Sequence, residues 1–205
     1  YSKTYYLSAG LCNPQGELPL PVLIGNVIDV ATLHANSWGV GYARLIADRH
    51  AWVLSRVTIE MWRYPTVDCH YTLTTWIEAY NRHFSQRNMA VTDEQWQPLG
   101  YVRTIWMVID LDKRTPADIS RLSYISANVE DRPCPIEPQS HLRPVAEPTR
   151  QRPYTFGYSD CDFNRHVNTI RYVELLLNQF SLSDFDNSVI RRFEVAFLKE
   201  TRYGE

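Results

Sequence analysis

No apolar run in the sequence approaches the roughly 18 residues needed to cross a bilayer as a helix. The opening Tyr1-Ser2-Lys3-Thr4-Tyr5 lacks the shape of a secretory or transit peptide. These absences exclude a helical membrane span and predict a soluble chain. Because the first residue is not Met, trimming ahead of it is expected. Cysteine is sparse: Cys12, Cys69, Cys134 and Cys161 lie far apart with no CxxC pair. That spacing excludes a zinc knuckle and a disulfide framework, and makes a reducing cytoplasm the expected compartment. Lysine is scarcer still, since of 21 basic residues only Lys3, Lys113 and Lys199 are lysine. Arginine therefore carries nearly all the positive charge and suits local docking of phosphate or carboxylate groups. A formal net charge of -2 gives no electrostatic reason to expect nucleic acid or an anionic membrane as partner.

What is present is globular: 205 residues, 44% of them hydrophobic, enough to bury a core. Residues Thr4 to Leu11 read as a strand that breaks into a turn at Asn13-Pro14-Gln15-Gly16. A long helix is expected next, with Pro21 in its first turn, Leu23, Val27, Val30, Ala31 and His34 at helical spacing, and Gly39 and Gly41 stopping it. Trp52 to Met61, Tyr71 to Tyr80, Phe84 to Val91 and Leu99 to Ile109 then read as four strands of an antiparallel meander.

Between Asp131 and Pro153, prolines 133, 135, 138, 144, 148 and 153 exclude helix and central strand and mark a linker. Beyond it the element order restarts: a short strand at Tyr154 to Tyr158, a helix from about Val167 to Phe180, and a strand at Val189 to Leu198. Two related domains are expected, 1–132 and 153–205, joined by the linker 133–152. The second ends at Tyr203-Gly204-Glu205, where the first still has three strands to come. The expectation is that it is incomplete there, with further residues following.

The densest polar cluster is Asp160-Cys161-Asp162-Phe163-Asn164-Arg165-His166-Val167-Asn168, between a strand and the second helix. Backbone N–H groups at a helix start polarise a carbonyl oxygen, while Asp, Asn and His just ahead of it offer a carboxylate, an amide and an imidazole. That set suits acyl hydrolysis. The plainer reading is a helix cap, which uses one such residue. A calcium loop fails, because Arg165 stands where Gly is required and Arg171 where the bidentate Glu belongs. No second His or Cys lies at ligand spacing from His166, so no metal is expected.

Asp162-Phe163-Asn164-Arg165-His166-Val167-Asn168, followed by Tyr172, resembles the DxNxHVN signature of acyl-acyl carrier protein thioesterases. The first half agrees, in Leu18-Pro19 leading to the Asp29-Val30-Ala31 helix, Gly39-Val40-Gly41 and Trp52-Val53-Leu54-Ser55-Arg56. The resemblance implies an α+β architecture of tandem hotdog domains, each a long helix wrapped by a curved antiparallel sheet. It implies that the first domain shapes an acyl tunnel and sets chain-length specificity, while the second supplies chemistry without metal or organic cofactor.

Carried over by position, Asp162, Asn164 and His166 become the catalytic Asp, Asn and His, and a strand from Phe193 to Thr201 delivers the catalytic Glu200. Thr201 departs from the plant members, which have Cys beside that Glu, so water rather than a cysteine is the expected nucleophile. Glu200 and His166 would activate the water, with backbone N–H groups near Val167 holding the thioester oxygen. Asp162 is either an orienting carboxylate or itself the attacking group. Glu200 has a plainer reading too, as a strand-end carboxylate paired with Lys199 or Arg202. Cys161 is expected to point away, His34 to be a hydrogen-bonded core histidine, and most of the six tryptophans to be core.

The expected partner is acyl carrier protein (ACP) with a phosphopantetheine-linked acyl chain; for assembly two readings stand open, a homodimer through paired hotdog sheets, or a tandem repeat that satisfies that interface within one chain. Two alternatives stand beside this reading: the same fold acting on acyl-CoA, or a non-catalytic module binding the acyl chain or carrier. Arginines at the tunnel mouth favour ACP, and the catalytic case requires Glu200 to approach Asn164 and His166.

Overall fold

The computed structural model describes residues 1–121, 123–143, 145–148 and 151–205. Pro144 of the proline-rich window lies outside them. Strand β1 (Ser2–Leu7) is followed by a 3-10 turn at Ala9–Leu11, so the expected strand stops short of Leu11. Helix α1 (Leu20–Ser37) then runs with Pro21 in its first turn, where the missing N–H costs nothing. Its apolar stripe, including Leu23, Val27, Val30, Ala31 and His34, is buried as the spacing predicts. A short helix α2 (Tyr42–Ala47), absent from the sequence reading, leads into β2 (His50–Met61).

Strands β3 (Cys69–Tyr80), β4 (Ser85–Thr92) and β5 (Pro98–Asp110) form the expected meander, and the two-residue β6 (Thr115–Pro116) pairs with β5. Strand β2 does not join by a hairpin to β3. It pairs antiparallel with β5, giving the sheet order β1-β3-β4-β5-β2 and then the last strand, β7 (Arg192–Ala196). Period-2 alternation identifies a strand but not its neighbour, which depends on long-range register. One face of the sheet packs on α1 through Leu73, Met89, Val91 and Val102, with Leu23, Val27 and Val30 opposite.

A 3-10 turn (Ile119–Arg121) and the short helix α3 (Ser123–Ser126) precede the proline-rich segment. No helix or strand is assigned among its described residues, yet the chain there is pinned to the outer face of the sheet. Cys134 and Ile136 bury against Trp76 and Ala90, and the Trp76 indole N–H donates to the Arg132 carbonyl at 2.7 Å. The Arg103 guanidinium donates to the carbonyls of Cys134 and Ile136. Proline removes backbone donors, so the carbonyls and apolar side chains do the anchoring.

The second unit contributes α4 (Thr169–Leu177), α5 (Leu182–Asn187) and β7 (Arg192–Ala196). The strand expected at Tyr154 to Tyr158 is not formed: that stretch is irregular and passes into a 3-10 turn at Tyr158–Asp160, with Phe156 exchanging backbone bonds with Gly204 and Glu205. Helix α4 is shorter than expected at both ends, because Asn168 caps it by accepting from the Ile170 N–H and Asn178 closes it. It packs on α1 where Gly25 leaves room: a Cβ there would sit 3.2 Å from Ile170 Cδ1. Strand β7 joins the first unit's sheet by pairing with β2, Val195 opposite Val57. The molecule thus has the hotdog arrangement, a long central helix lying on an antiparallel sheet, with a second helix beside it.

Candidate active site

Residues 160–168 form a tight hairpin-like loop. The Asp162 N–H donates to the His166 carbonyl at 2.8 Å, the Arg165 N–H donates to the Asp162 carbonyl at 3.0 Å, and Arg165 takes a positive φ of 64°. Asp162 makes the turn possible, since its Oδ1 accepts from the N–H groups of Asn164 at 2.8 Å and His166 at 3.1 Å. The same construction occurs twice elsewhere among the described residues. Asp93 Oδ1 accepts from Gln95 and Gln97, with Trp96 at positive φ, and Asn13 Oδ1 accepts from Gln15 and Glu17, with Gly16 at positive φ.

Asn13 shows that an amide oxygen serves this turn as well as a carboxylate. Asp162→Asn is therefore expected to leave thermal stability unchanged, while Asp162→Ala lowers it by about 1 kcal/mol. Thermal unfolding of the two variants checks this; equal destabilisation would show that the charge, not the acceptor, holds the loop.

Glu200 reaches the loop by a different route from the one expected. Strand β7 ends at Ala196, so Glu200 lies in the irregular segment beyond it. That segment is stitched to the loop by the Val167 N–H donating to the Thr201 carbonyl at 2.8 Å and by an antiparallel bridge between His166 and Arg202. His166 Nε2 then lies 3.4 Å from Glu200 Oε2. The same Glu200 oxygen accepts from the Arg114 guanidinium. Arg114 sits at positive φ at the end of the turn after β5, in which Asp110 Oδ1 accepts from Asp112 and Lys113. Sequence reading missed Arg114, and the strand-end partners suggested for Glu200, Lys199 and Arg202, do not hold its carboxylate.

The backbone groups near Val167 are not free for a substrate oxygen. Val167 N–H is used by Thr201, Asn168 N–H by the Asp160 carbonyl at 2.8 Å, and His166 N–H by Asp162. They build the loop instead. Among the described residues, the N–H groups of Phe163 and Thr169 have no protein acceptor.

Asp162, Asn164, His166 and Glu200 all line one cavity of about 860 Å³, which runs between α1, α2, β2 and the β3-β4-β5 meander. The structure therefore brings the four expected residues to one opening. Trp76 and Trp106 are buried in the core, Trp38 and Trp52 pack half-buried against it, and only Trp62 and Trp96 of the six are exposed, so most of the tryptophans belong to the core as expected; Trp38, Trp52 and Trp106 line this cavity as well. Cys161 is outside the lining, its thiol directed at the Gly157 carbonyl. Among the described residues no group of three His, Cys, Asp or Glu side chains is arranged to hold a metal ion, and no helix is long and apolar enough to cross a membrane.

This architecture matches known proteins. Residues 1–122 match the sequence model of the acyl-ACP thioesterase N-terminal domain, and residues 144–205 that of the C-terminal domain. The oleoyl-acyl carrier protein thioesterase 2 of Arabidopsis thaliana, a chloroplastic protein, is 23% identical over 208 residues, covering 89% of this chain and 54% of that protein. The chain spans about half the length of such curated relatives. A crystal structure of an acyl-ACP thioesterase from Bacteroides thetaiotaomicron superposes with a TM-score of 0.92 at 35% identity, covering 100% of this chain and 83% of that one. The 12:0-ACP thioesterase from Umbellularia californica gives 0.84 at 20% identity over 98% of this chain and 83% of its own, a likeness of fold. With both halves matched by the family's paired domain models and a solved relative alike along the whole chain, the chain belongs to the acyl-ACP thioesterase family.

Proposed function

We propose that the protein hydrolyses fatty acyl-ACP to free fatty acid and ACP, acting on the thioester bond. The observation that carries this reading is the meeting of His166 and Glu200 at 3.4 Å on the wall of a largely apolar cavity, in a member of this family. We assign residues 1–132 to the unit that holds the acyl chain and sets its length, 133–152 to the linker, and 153–205 to the catalytic unit. No step calls for a metal or organic cofactor.

With one Glu200 oxygen committed to both Arg114 and His166, the carboxylate is a positioning group and His166 is the proton carrier. His166 takes a proton from water as the water oxygen bonds to the thioester carbon. The C–S bond then breaks, and the proton passes to the departing thiolate. The developing oxyanion is met by the Asn164 amide and the N–H groups of Phe163 and Thr169. Asp162, its Oδ1 spent on backbone donors and its Oδ2 approached by the Asn164 amide at 3.4 Å, holds Asn164 and His166 in place rather than attacking.

Exposed Arg165, Lys199 and Arg202 lie beside the loop and Glu200, and complement an acidic carrier. The four cysteines stand as free thiols, which supports the cytoplasm as the working compartment. The CoA-related structural neighbours share the fold alone, at 13% identity.

Thiol release from matched acyl-ACP and acyl-CoA thioesters tests the activity. Faster turnover of the ACP series is expected, by about tenfold or more in kcat/KM, with the difference shrinking as salt rises. Preference for CoA would move the reading to an acyl-CoA thioesterase. No turnover on either donor, with acyl chains still bound, would leave a binding module.

A further inference from the structure

Arg87 lies on β4 opposite Thr104 of β5 and lines the same cavity as His166, yet it is only 6% exposed. Its Nη1 donates to His34 Nδ1 at 2.7 Å and to Thr75 Oγ1 at 3.2 Å. Its guanidinium carbon stands 5.4 Å from the Trp38 ring centre. Among the described residues no carboxylate is within ion-pair distance of it, and no protein acceptor meets Nε or Nη2. A buried guanidinium with donors to spare is costly unless something else meets it.

The surrounding wall is apolar, built from Trp38, Ile77, Trp106 and Ile125, with Ser85 the nearest polar lining residue along β4. Thr104 is separated along β5 from Asp110, where the Arg114 turn begins, by a run of about 20 Å at strand rise. The charge therefore sits remote from the Arg114–Glu200 pair, where the far end of an extended acyl chain would come to rest.

We propose that Arg87 is a specificity-determining residue that receives an oxygen function, a hydroxyl or a carboxylate, at the distal end of the acyl chain. The identification of the occupant as an acyl chain rests on the thioesterase reading above. Plain hydrocarbon leaves the free donors of Arg87 unmet and sets a methyl group against a charge. An oxygen acceptor satisfies them, and a carboxylate also neutralises the charge in bidentate geometry. A site built around a buried donor discriminates strongly against a ligand that lacks the matching acceptor.

The test is calorimetric binding of free acids of one chain length that end in methyl, hydroxyl or carboxylate, to the full chain and to its Arg87→Met and Arg87→Lys variants. Acyl-ACP hydrolysis of the same series is run in parallel. Binding at least about tenfold tighter for an oxygen-ended chain is expected, with the hydroxyl and carboxylate arms identifying the group. Arg87→Met is expected to erase the preference and Arg87→Lys, which keeps the charge but not the fork, to weaken it. Should the Met variant fail to fold, the wild-type ranking and the Lys variant still decide.

Equal or tighter binding of the methyl-ended chain by the wild type would overturn the proposal. So would an unchanged preference in either folded variant, or a wild-type chain-length limit that ignores the terminal group. A binding preference with no hydrolysis of any acyl-ACP would overturn the thioesterase reading and leave this proposal standing. Hydrolysis without the preference would do the reverse.

Discussion

His166→Ala is expected to lower kcat/KM for acyl-ACP hydrolysis by about a thousandfold while leaving the fold intact, because removing a positioned general base costs roughly 10²–10⁴ in rate. The side chain is partly exposed and makes no packing contact that the core depends on. Its backbone bonds, to Asp162 and to the 200–202 segment, survive truncation to Ala. Glu200→Gln is expected to cost less, about tenfold, since it removes the orienting charge but leaves the imidazole. Circular dichroism confirms folding, and thiol release measures the rates. If His166→Ala stayed within tenfold of wild type while Glu200→Gln abolished turnover, the roles of base and positioning group would have to be exchanged.

The second large effect concerns stability in acid. His34 on α1 is buried, accepts from Arg87 at Nδ1, stacks with the Tyr1 ring at 5.5 Å and meets Trp38 edge-on at 4.0 Å. Burial, and then the neighbouring Arg87 charge, push its imidazole from 6.5 down to about 3, so it is neutral in the folded protein. Protonation would remove the acceptor for Arg87 and set two buried cations together. The unfolded chain binds the proton from pH 6.5 downward and the folded chain does not. The stability from neutral His34 is therefore whole above pH 6.5 and is lost progressively as pH falls from there toward 3.

By pH 5 the loss is about 2 kcal/mol, from the shift at roughly 1.4 kcal/mol per pH unit. His34→Gln keeps an uncharged acceptor for Arg87 and is expected to flatten that part of the profile. Thermal unfolding of both proteins between pH 7 and pH 5 reads the difference. Parallel slopes in the two proteins would mean that His34 protonates freely in the fold.

His34 also shows the limit of reading from sequence. Its place on the buried stripe of α1 follows from helical spacing, and a hydrogen-bonded core histidine was the expected reading. Its partner, Arg87, comes from a strand 53 residues away. An Arg at an inward position of a strand looks in sequence like any solvent-facing arginine, so nothing local marked it as buried or as part of a cavity wall. The tryptophans show the same limit: hydrophobicity places most of the rings off water, but only the tertiary structure decides that Trp106 also faces the cavity and that Trp62 and Trp96 are exposed.

The boundaries that moved did so where long-range bonds competed with local pattern. Val167 and Asn168 look like a helix start, but their N–H groups are drawn to Thr201 and Asp160, and the helix waits until Thr169. Phe193 to Thr201 looks like one strand, yet pairing with β2 ends at Ala196 opposite Arg56, and the rest bends over the loop to meet His166.

What the sequence determined by itself is what local forces write: the 3.6-residue stripe of α1, the alternation of four strands, the lack of helix or strand among the described residues of the proline-rich segment, and the Asx-built loop that carries Asp162, Asn164 and His166 within five residues. What only the tertiary structure decided is everything that joins distant segments. The β2–β5 and β2–β7 pairings, the arrival of Glu200 at His166, the hold of Arg114 on Glu200 from 86 residues away, and the burial of Arg87 beside His34 all belong there. Turns and caps are satisfied within a few residues by their own side chains, whereas sheet register and cavity walls are fixed only when the whole apolar surface is buried at once.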